Sequence, residues 1–164
     1  MVNKYQRAVD MLNSHLKNKI VQSNDGDYGE FINRMINGTL ELTEYENDEV
    51  TKINTYLFRR CESLTSVSFP ACTSIGEYAF DTCTALTSVS FPVCTSIGEY
   101  AFNGCTALTS LYFTGSSVPS IASNSFNNIP STATFYVASS MVDAFKSASY
   151  WSAFASQIVA YEGE

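Results

Sequence analysis

CESLTSVSFPACTSIGEYAFDT (Cys61 to Thr82) runs directly into CTALTSVSFPVCTSIGEYAFNG (Cys83 to Gly104), and then into CTALTSLYFTG (Cys105 to Gly115). The two complete copies differ at five of 22 positions. A fixed period of roughly 20–30 residues marks a solenoid, because one such unit cannot bury its apolar side alone and must stack on the next. The work expected of such a rod is the presentation of a surface rather than chemistry in a deep pocket.

The period extends beyond the obvious copies. Counting back 22 residues from Ile75, Tyr78, Phe80 and Cys83 reaches Ile53, Tyr56, Phe58 and Cys61, so Thr51 to Cys61 reads as a decayed earlier coil. Forward, the spacing stretches by two: Ile97 and Phe102 correspond to Ile121 and Phe126. The extra residues fall in TGSSVPS (Thr114 to Ser120), whose Gly, Pro and Ser content is that of a loop. Four to five coils are expected.

Within each coil, SVSF (Ser66 to Phe69), SVSF (Ser88 to Phe91) and SLYF (Ser110 to Phe113) alternate polar and apolar residues, the pattern of a half-buried strand. Val67, Phe69, Val89, Phe91, Leu111 and Phe113 are predicted to point inward, and Ser66, Ser68, Ser88, Ser90, Ser110 and Tyr112 outward. Pro70 and Pro92 follow at once and end the strand, since proline has no N–H to give a ladder. The other half, TSIGEYAF, supplies Ile75, Ala79 and Phe80 to the interior, with Gly76 and Gly98 expected at a tight bend.

The pattern L-T-S-V-x-F-P-x-C-T-S-I-G-x-Y-A-F-x-x-C resembles the BspA-like leucine-rich repeat. The final stretch, YVASSMVDAFKSASYWSAFASQIVAYEGE, is similar to the segment that often closes such arrays. The resemblance covers Leu42 to Glu164. It implies an α/β repeat solenoid of the leucine-rich-repeat type, used in adhesion and recognition, found in bacterial and some protist surface proteins and beside bacteriophage tail modules. It implies no catalytic residues.

Three segments are expected. Residues 1–39 carry two amphipathic stripes, Tyr5, Val9, Leu12, Leu16 and Ile20, then Tyr28, Phe31, Ile32, Met35 and Ile36, separated by Ser23 to Asp27. They read as a helical hairpin that caps the first coil, docks into a larger assembly or drives homo-oligomerisation. Asp27 and Glu30 have a capping-box spacing, and Gly38 a helix stop. Residues 40–137 form the solenoid. Residues 138–164 form a helical cap in which Ser140 and Asp143 give a second cap signal and Val142, Phe145, Trp151, Phe154 and Ile158 cover the last coil.

Eight of the nine Lys and Arg residues precede Cys61; from Cys61 onward one base, Lys146, faces seven acids. That balance argues against a nucleic-acid partner, which requires a basic surface. No stretch is long and apolar enough to cross a bilayer, so membrane insertion is not expected. MVNKYQRAVDMLN lacks the apolar core of a secretory signal. The expected location is therefore a virion made in the bacterial cytoplasm, with the cell surface as the alternative. Asn37-Gly38-Thr39 matches a glycosylation sequon, which would matter only after secretion.

Cys61, Cys72, Cys83, Cys94 and Cys105 recur every 11 residues and form two columns, expected to be buried free thiols that pack as small hydrophobes. No C-x₂-C pair occurs and His15 is the only histidine, so neither a metal site nor a cofactor is expected. No nucleophile–base pair can be named, so no enzyme is expected either. Asp25, Asp27 and Glu30 are explained by helix capping without a cation.

Two outward columns remain as candidate binding surfaces. Tyr56, Tyr78 and Tyr100 recur at the 22-residue spacing, with Glu77 and Glu99 beside them; the alternative is that these rings only stack on each other. The strand face, which becomes aromatic toward Tyr112 and Tyr136, is the second. The expected function is a non-enzymatic recognition module on a phage or prophage particle that contacts a protein or cell-surface glycan. A bacterial adhesin that binds host protein or glycan is the alternative, and a passive structural or decoration protein the third reading.

Overall fold

The computed structural model describes Asp10 and residues 44–163. Apart from Asp10, the expected hairpin of residues 1–39, with His15, Asp25, Asp27 and Glu30, lies outside the described residues.

The repeat becomes two parallel sheets. Strands β1 (Glu44–Glu46), β3 (Ser66–Ser68), β5 (Ser88–Ser90), β7 (Ser110–Phe113), β8 (Thr134–Val137) and β9 (Ile158–Ala160) stack in that order into one six-stranded sheet. The two-residue strands β2 (Lys52–Ile53), β4 (Ser74–Ile75) and β6 (Ser96–Ile97) form the other. Register follows the sequence period: Val67 pairs with Val89 and Val89 with Leu111. The two extra residues of the next coil are absorbed before β8, where Leu111 pairs with Phe135.

The stack is longer than four to five coils. β1 extends it before Thr51, and β9 extends it beyond Val137. Neither shows in the repeat consensus. β1 is EYE, with Glu at both outward stations, and β9 follows a segment of helical composition. That segment is a 3₁₀ turn (Ser139–Met141), a short helix α1 (Val142–Ser147) and a second 3₁₀ turn (Trp151–Gln157). The cap is thus mixed, with a strand at its end. The Ser140–Asp143 cap is not formed: α1 begins after Met141 with no side-chain cap bond, because the chain enters it from the 3₁₀ turn.

The interior is built of columns. Phe58, Phe80, Phe102 and Phe126 stack with centroids 5.3, 5.2 and 5.4 Å apart, and Phe69, Phe91 and Phe113 at 5.6 and 6.4 Å. Phe80 meets Phe91 edge-on at 5.9 Å and joins the two columns. Such ring pairs contribute about 0.5–1.5 kcal/mol each beyond the burial of their area. Trp151 closes the end, edge-on to Phe113, Phe135 and Phe145, and its Nε1 donates to the Pro119 carbonyl at 2.7 Å.

Hydrogen bonds between coils continue through the corners. Tyr56 N–H donates to Glu77 O, Phe58 N–H to Ala79 O and Arg60 N–H to Asp81 O, at 3.0, 2.8 and 2.8 Å. Threonines add a side-chain ladder: the hydroxyls of Thr87 and Thr109 donate to the carbonyls of Thr65 and Thr87 at 2.9 and 3.1 Å.

The bend expected at Gly76 and Gly98 is made elsewhere. The left-handed residues are Tyr56, Tyr78 and Tyr100, with φ of 64°, 54° and 55°. The glycines serve close approach instead. A Cβ on Gly98 would lie 2.6 Å from the backbone nitrogen of Glu77 in the preceding coil.

All five cysteines are free and buried. Cys83 and Cys105 donate their thiol hydrogens to the Phe58 and Phe80 carbonyls, each at 3.1 Å. Burial pushes the Cys72 thiol up to about 11 and those of Cys94 and Cys105 up to about 12, and raises Cys61 and Cys83 as well.

Candidate functional site

The two outward columns differ in what they leave open. Tyr56, Tyr78 and Tyr100 stack face to face, with centroids 5.2 and 5.0 Å apart and planes 22° and 18° from parallel. The faces of Tyr78, the middle ring, are therefore taken by its neighbours. The Arg59 guanidinium lies 5.5 Å from the Tyr56 centroid and 6.0 Å from that of Tyr78. Partial desolvation, helped by the phenols of Tyr100 and Tyr56 and the carboxylates of Asp81 and Glu99, raises the Tyr78 phenol above its ordinary value. Glu77 and Glu99 are exposed, and Glu99 accepts from Asn124 Nδ2 at 3.4 Å. This column presents ring edges and carboxylates with no recess between them.

The strand face carries a recess. A groove of about 470 Å³ is lined by Glu44, Tyr45, Glu46, Ser66, Val67, Ser68, Ser88, Ser90, Tyr112, Thr114 and Tyr161. Strand alternation and register place its polar residues. Outward stations on paired strands form rows, so Glu44, Ser66, Ser88, Ser110 and Thr134 make one row. Glu46, Ser68, Ser90, Tyr112, Tyr136 and Val159 make the other. The face thus grades from carboxylate through hydroxyl to aromatic and apolar.

Tyr112 and Tyr136 stack at 4.8 Å, 12° from parallel. Tyr161 stands edge-on to both, at 5.6 and 6.4 Å, held by its N–H donating to the Val137 carbonyl at 2.7 Å. On the side of Tyr112 away from Tyr136, the next station in the row is Ser90, too short to cover the ring. Among the expected site residues, Tyr112 and Tyr136 come together at the groove's end. Tyr56, Tyr78, Tyr100, Glu77 and Glu99 gather on the separate column.

Three groove residues lay outside the sequence expectation: Tyr161, Glu44 and Glu46. The 22-residue count, carried back one step from Ser66 and Ser68, lands on the two glutamates and could have found them. Tyr161 belongs to no copy of the repeat and gave no signal.

Among the described residues no group of three His, Cys, Asp or Glu side chains could hold a metal ion. Nor is any helix among them long and apolar enough to cross a membrane.

Residues 37–155 match the BspA type leucine rich repeat region, in six copies. Comparison with curated proteins finds no match. Among solved structures, the chain is similar to a leucine-rich repeat protein from Bacteroides ovatus, with 22% identity and a TM-score of 0.47, covering 62% of this chain and 31% of that one. It is also similar to a leucine rich cell surface protein from Faecalibacterium prausnitzii, with 29% identity and a TM-score of 0.46, covering 74% of this chain and 32% of that one. The chain spans about a third of the length of each.

Proposed function

We propose that this chain, which belongs to the BspA type leucine-rich repeat family, is a non-enzymatic recognition module that binds a partner protein in its strand-face groove. The observation that carries the reading is the groove's construction. Its floor is hydroxyl-lined, one end is closed by Tyr112 and Tyr161, and the rigid sheet beneath holds every outward side chain in register. Tyrosine combines a flat apolar body with a polar tip and is enriched at recognition surfaces. The tyrosine column is the weaker candidate, because its rings spend their faces on one another.

Binding of the fluorescent full chain to intact bacterial cells tests this. Tyr112→Ala with Tyr136→Ala abolishes binding while circular dichroism stays unchanged. Loss of binding with Glu77→Gln and Glu99→Gln instead would move the site to the tyrosine column.

The setting in which the module works is a separate proposal. A virion-associated role, with residues 1–39 docking into the particle or an oligomer, is one reading; display on a bacterial surface as an adhesin for host protein or glycan is the other. Banding induced lysates on a density gradient and probing the fractions with antibody separates them. Signal in intact particles supports the virion, and signal only in envelopes supports the adhesin.

A further inference from the structure

We infer that the groove takes an extended basic segment of its partner, with one cationic side chain laid on the open face of Tyr112 and a second paired with Glu46. This inference rests on the strand face being the binding surface.

Three observations point to that occupant. First, the groove is bounded by an aromatic ring face at one end and an exposed carboxylate at the other, in a single row. The outer face of Tyr112 opens over Ser90 and Ser68, so a flat or cationic group can lie on it. Second, the charge is one-sided. Residues 44–163 carry ten acids against four bases, and no Lys or Arg lines the groove, while Glu44 and Glu46 both do. A recess lined by one sign of charge concentrates ligands of the other sign. Third, the dimensions fit. Glu46 and Tyr112 stand three strand spacings apart, about 14 Å. An extended chain rises about 3.3 Å per residue and puts every second side chain on one face, so side chains four residues apart span about 13 Å. Between the two ends, the hydroxyls of Ser68 and Ser90 can donate to or accept from the segment's main chain.

Cation–π contact suits the Tyr112 end, and the guanidinium of arginine, planar and weakly hydrated, suits it better than an ammonium. A neutral oligosaccharide could use the ring and the hydroxyls, but it would leave the two carboxylates without a complementary partner.

Fluorescence polarisation with the full chain tests the inference. The probes are a short labelled peptide with two arginines four residues apart in a serine–threonine background, the same peptide with glutamates, and a neutral N-acetylglucosamine oligomer as competitor. The arginine peptide is expected to bind and the glutamate peptide not to. Glu46→Gln and Tyr112→Ala should each weaken binding by about threefold or more, and salt should weaken it further. Glu62→Gln, exposed and outside the groove, leaves it unchanged. Equal binding of both peptides, or no effect of Glu46→Gln, overturns the basic occupant. Binding of the neutral oligomer that depends on Tyr112 but not Glu46 would assign the groove to a glycan instead. Cell binding that survives Tyr112→Ala with Tyr136→Ala would reject the groove itself.

Discussion

Arg59 Nε donates to Asp81 Oδ2 at 3.0 Å, from a side chain 41% exposed to one 5% exposed, and so ties one coil to the next. The other oxygen of Asp81 accepts from Asn103 Nδ2 at 2.8 Å, which brings in a third coil. Asp81→Ala leaves both donors without this acceptor and should destabilise the fold by about 1–3 kcal/mol. Asp81→Asn, which keeps a hydrogen-bonding group in place, should cost less. Thermal unfolding of the two variants beside the parent checks the order.

Gly98 and Gly104 should respond differently to a methyl group. At Gly98 the new Cβ meets backbone of the preceding coil, 2.6 Å from Glu77 N, and neither partner can move without shifting a coil. Gly98→Ala is expected to cost about 2 kcal/mol or more. At Gly104 the obstacle is its φ of 71°, which costs an L residue about 1–2 kcal/mol. Asn128 holds the equivalent corner of the next coil at φ 59°. Gly104→Asn should therefore be better tolerated than Gly104→Ala, as chemical denaturation would show.

The thiols make stability fall in alkali. Cys72, Cys94 and Cys105 titrate at about 11, 12 and 12 in the folded chain against 9.0 for an unburied thiol. Above pH 9 the unfolded chain releases these protons while the folded chain keeps them. The stabilising contribution is complete below about pH 9 and is lost as pH rises toward 12, by about 1.4 kcal/mol per pH unit for each thiol. Urea unfolding from pH 7 to 11 should show this decline, and Cys94→Ala should make it shallower. A thiol reagent should find no reactive cysteine in the native chain and all five after unfolding.

Trp151 is the only tryptophan, so its fluorescence reports on the C-terminal end of the stack. Trp151→Phe loses the 2.7 Å bond to the Pro119 carbonyl and leaves that carbonyl unsatisfied, at a cost of about 1–3 kcal/mol. Trp151→Ala also opens a cavity among Phe113, Phe135 and Phe145 and should cost about 3–5 kcal/mol. Calorimetry of both variants tests the difference.

The alternation in SVSF and the 22-residue spacing of Ile, Phe and Cys were enough to read the strands, their register and the buried columns. Those features depend on which side chains are apolar, and sequence displays that directly. The left-handed corners at Tyr56, Tyr78 and Tyr100 were not legible. A tyrosine disfavours that conformation locally, and it is imposed by contacts between coils, such as Tyr78 N–H donating to Glu99 O at 2.9 Å. The capping spacing of Ser140 and Asp143 misled for a related reason: it assumes that a helix begins from extended chain, whereas here one turn leads into another. Of the groove, the aromatic pair Tyr112 and Tyr136 was visible in the repeat. Tyr161 was not, since only the return of the chain through β9 brings it beside them.

The in-register pairing of one coil on the next also makes the groove a gauge. Ser66 to Ser68 and Ser88 to Ser90 occupy the same stations, one strand apart, on coils of nearly identical sequence. Gain or loss of one such 22-residue coil would leave the carboxylate end and the tyrosine end each intact in its own surroundings. It would change only the distance between them, in steps of about 4.8 Å. Tandem duplication of the gene segment can thus retune the length of ligand that fits without altering a single contacting side chain.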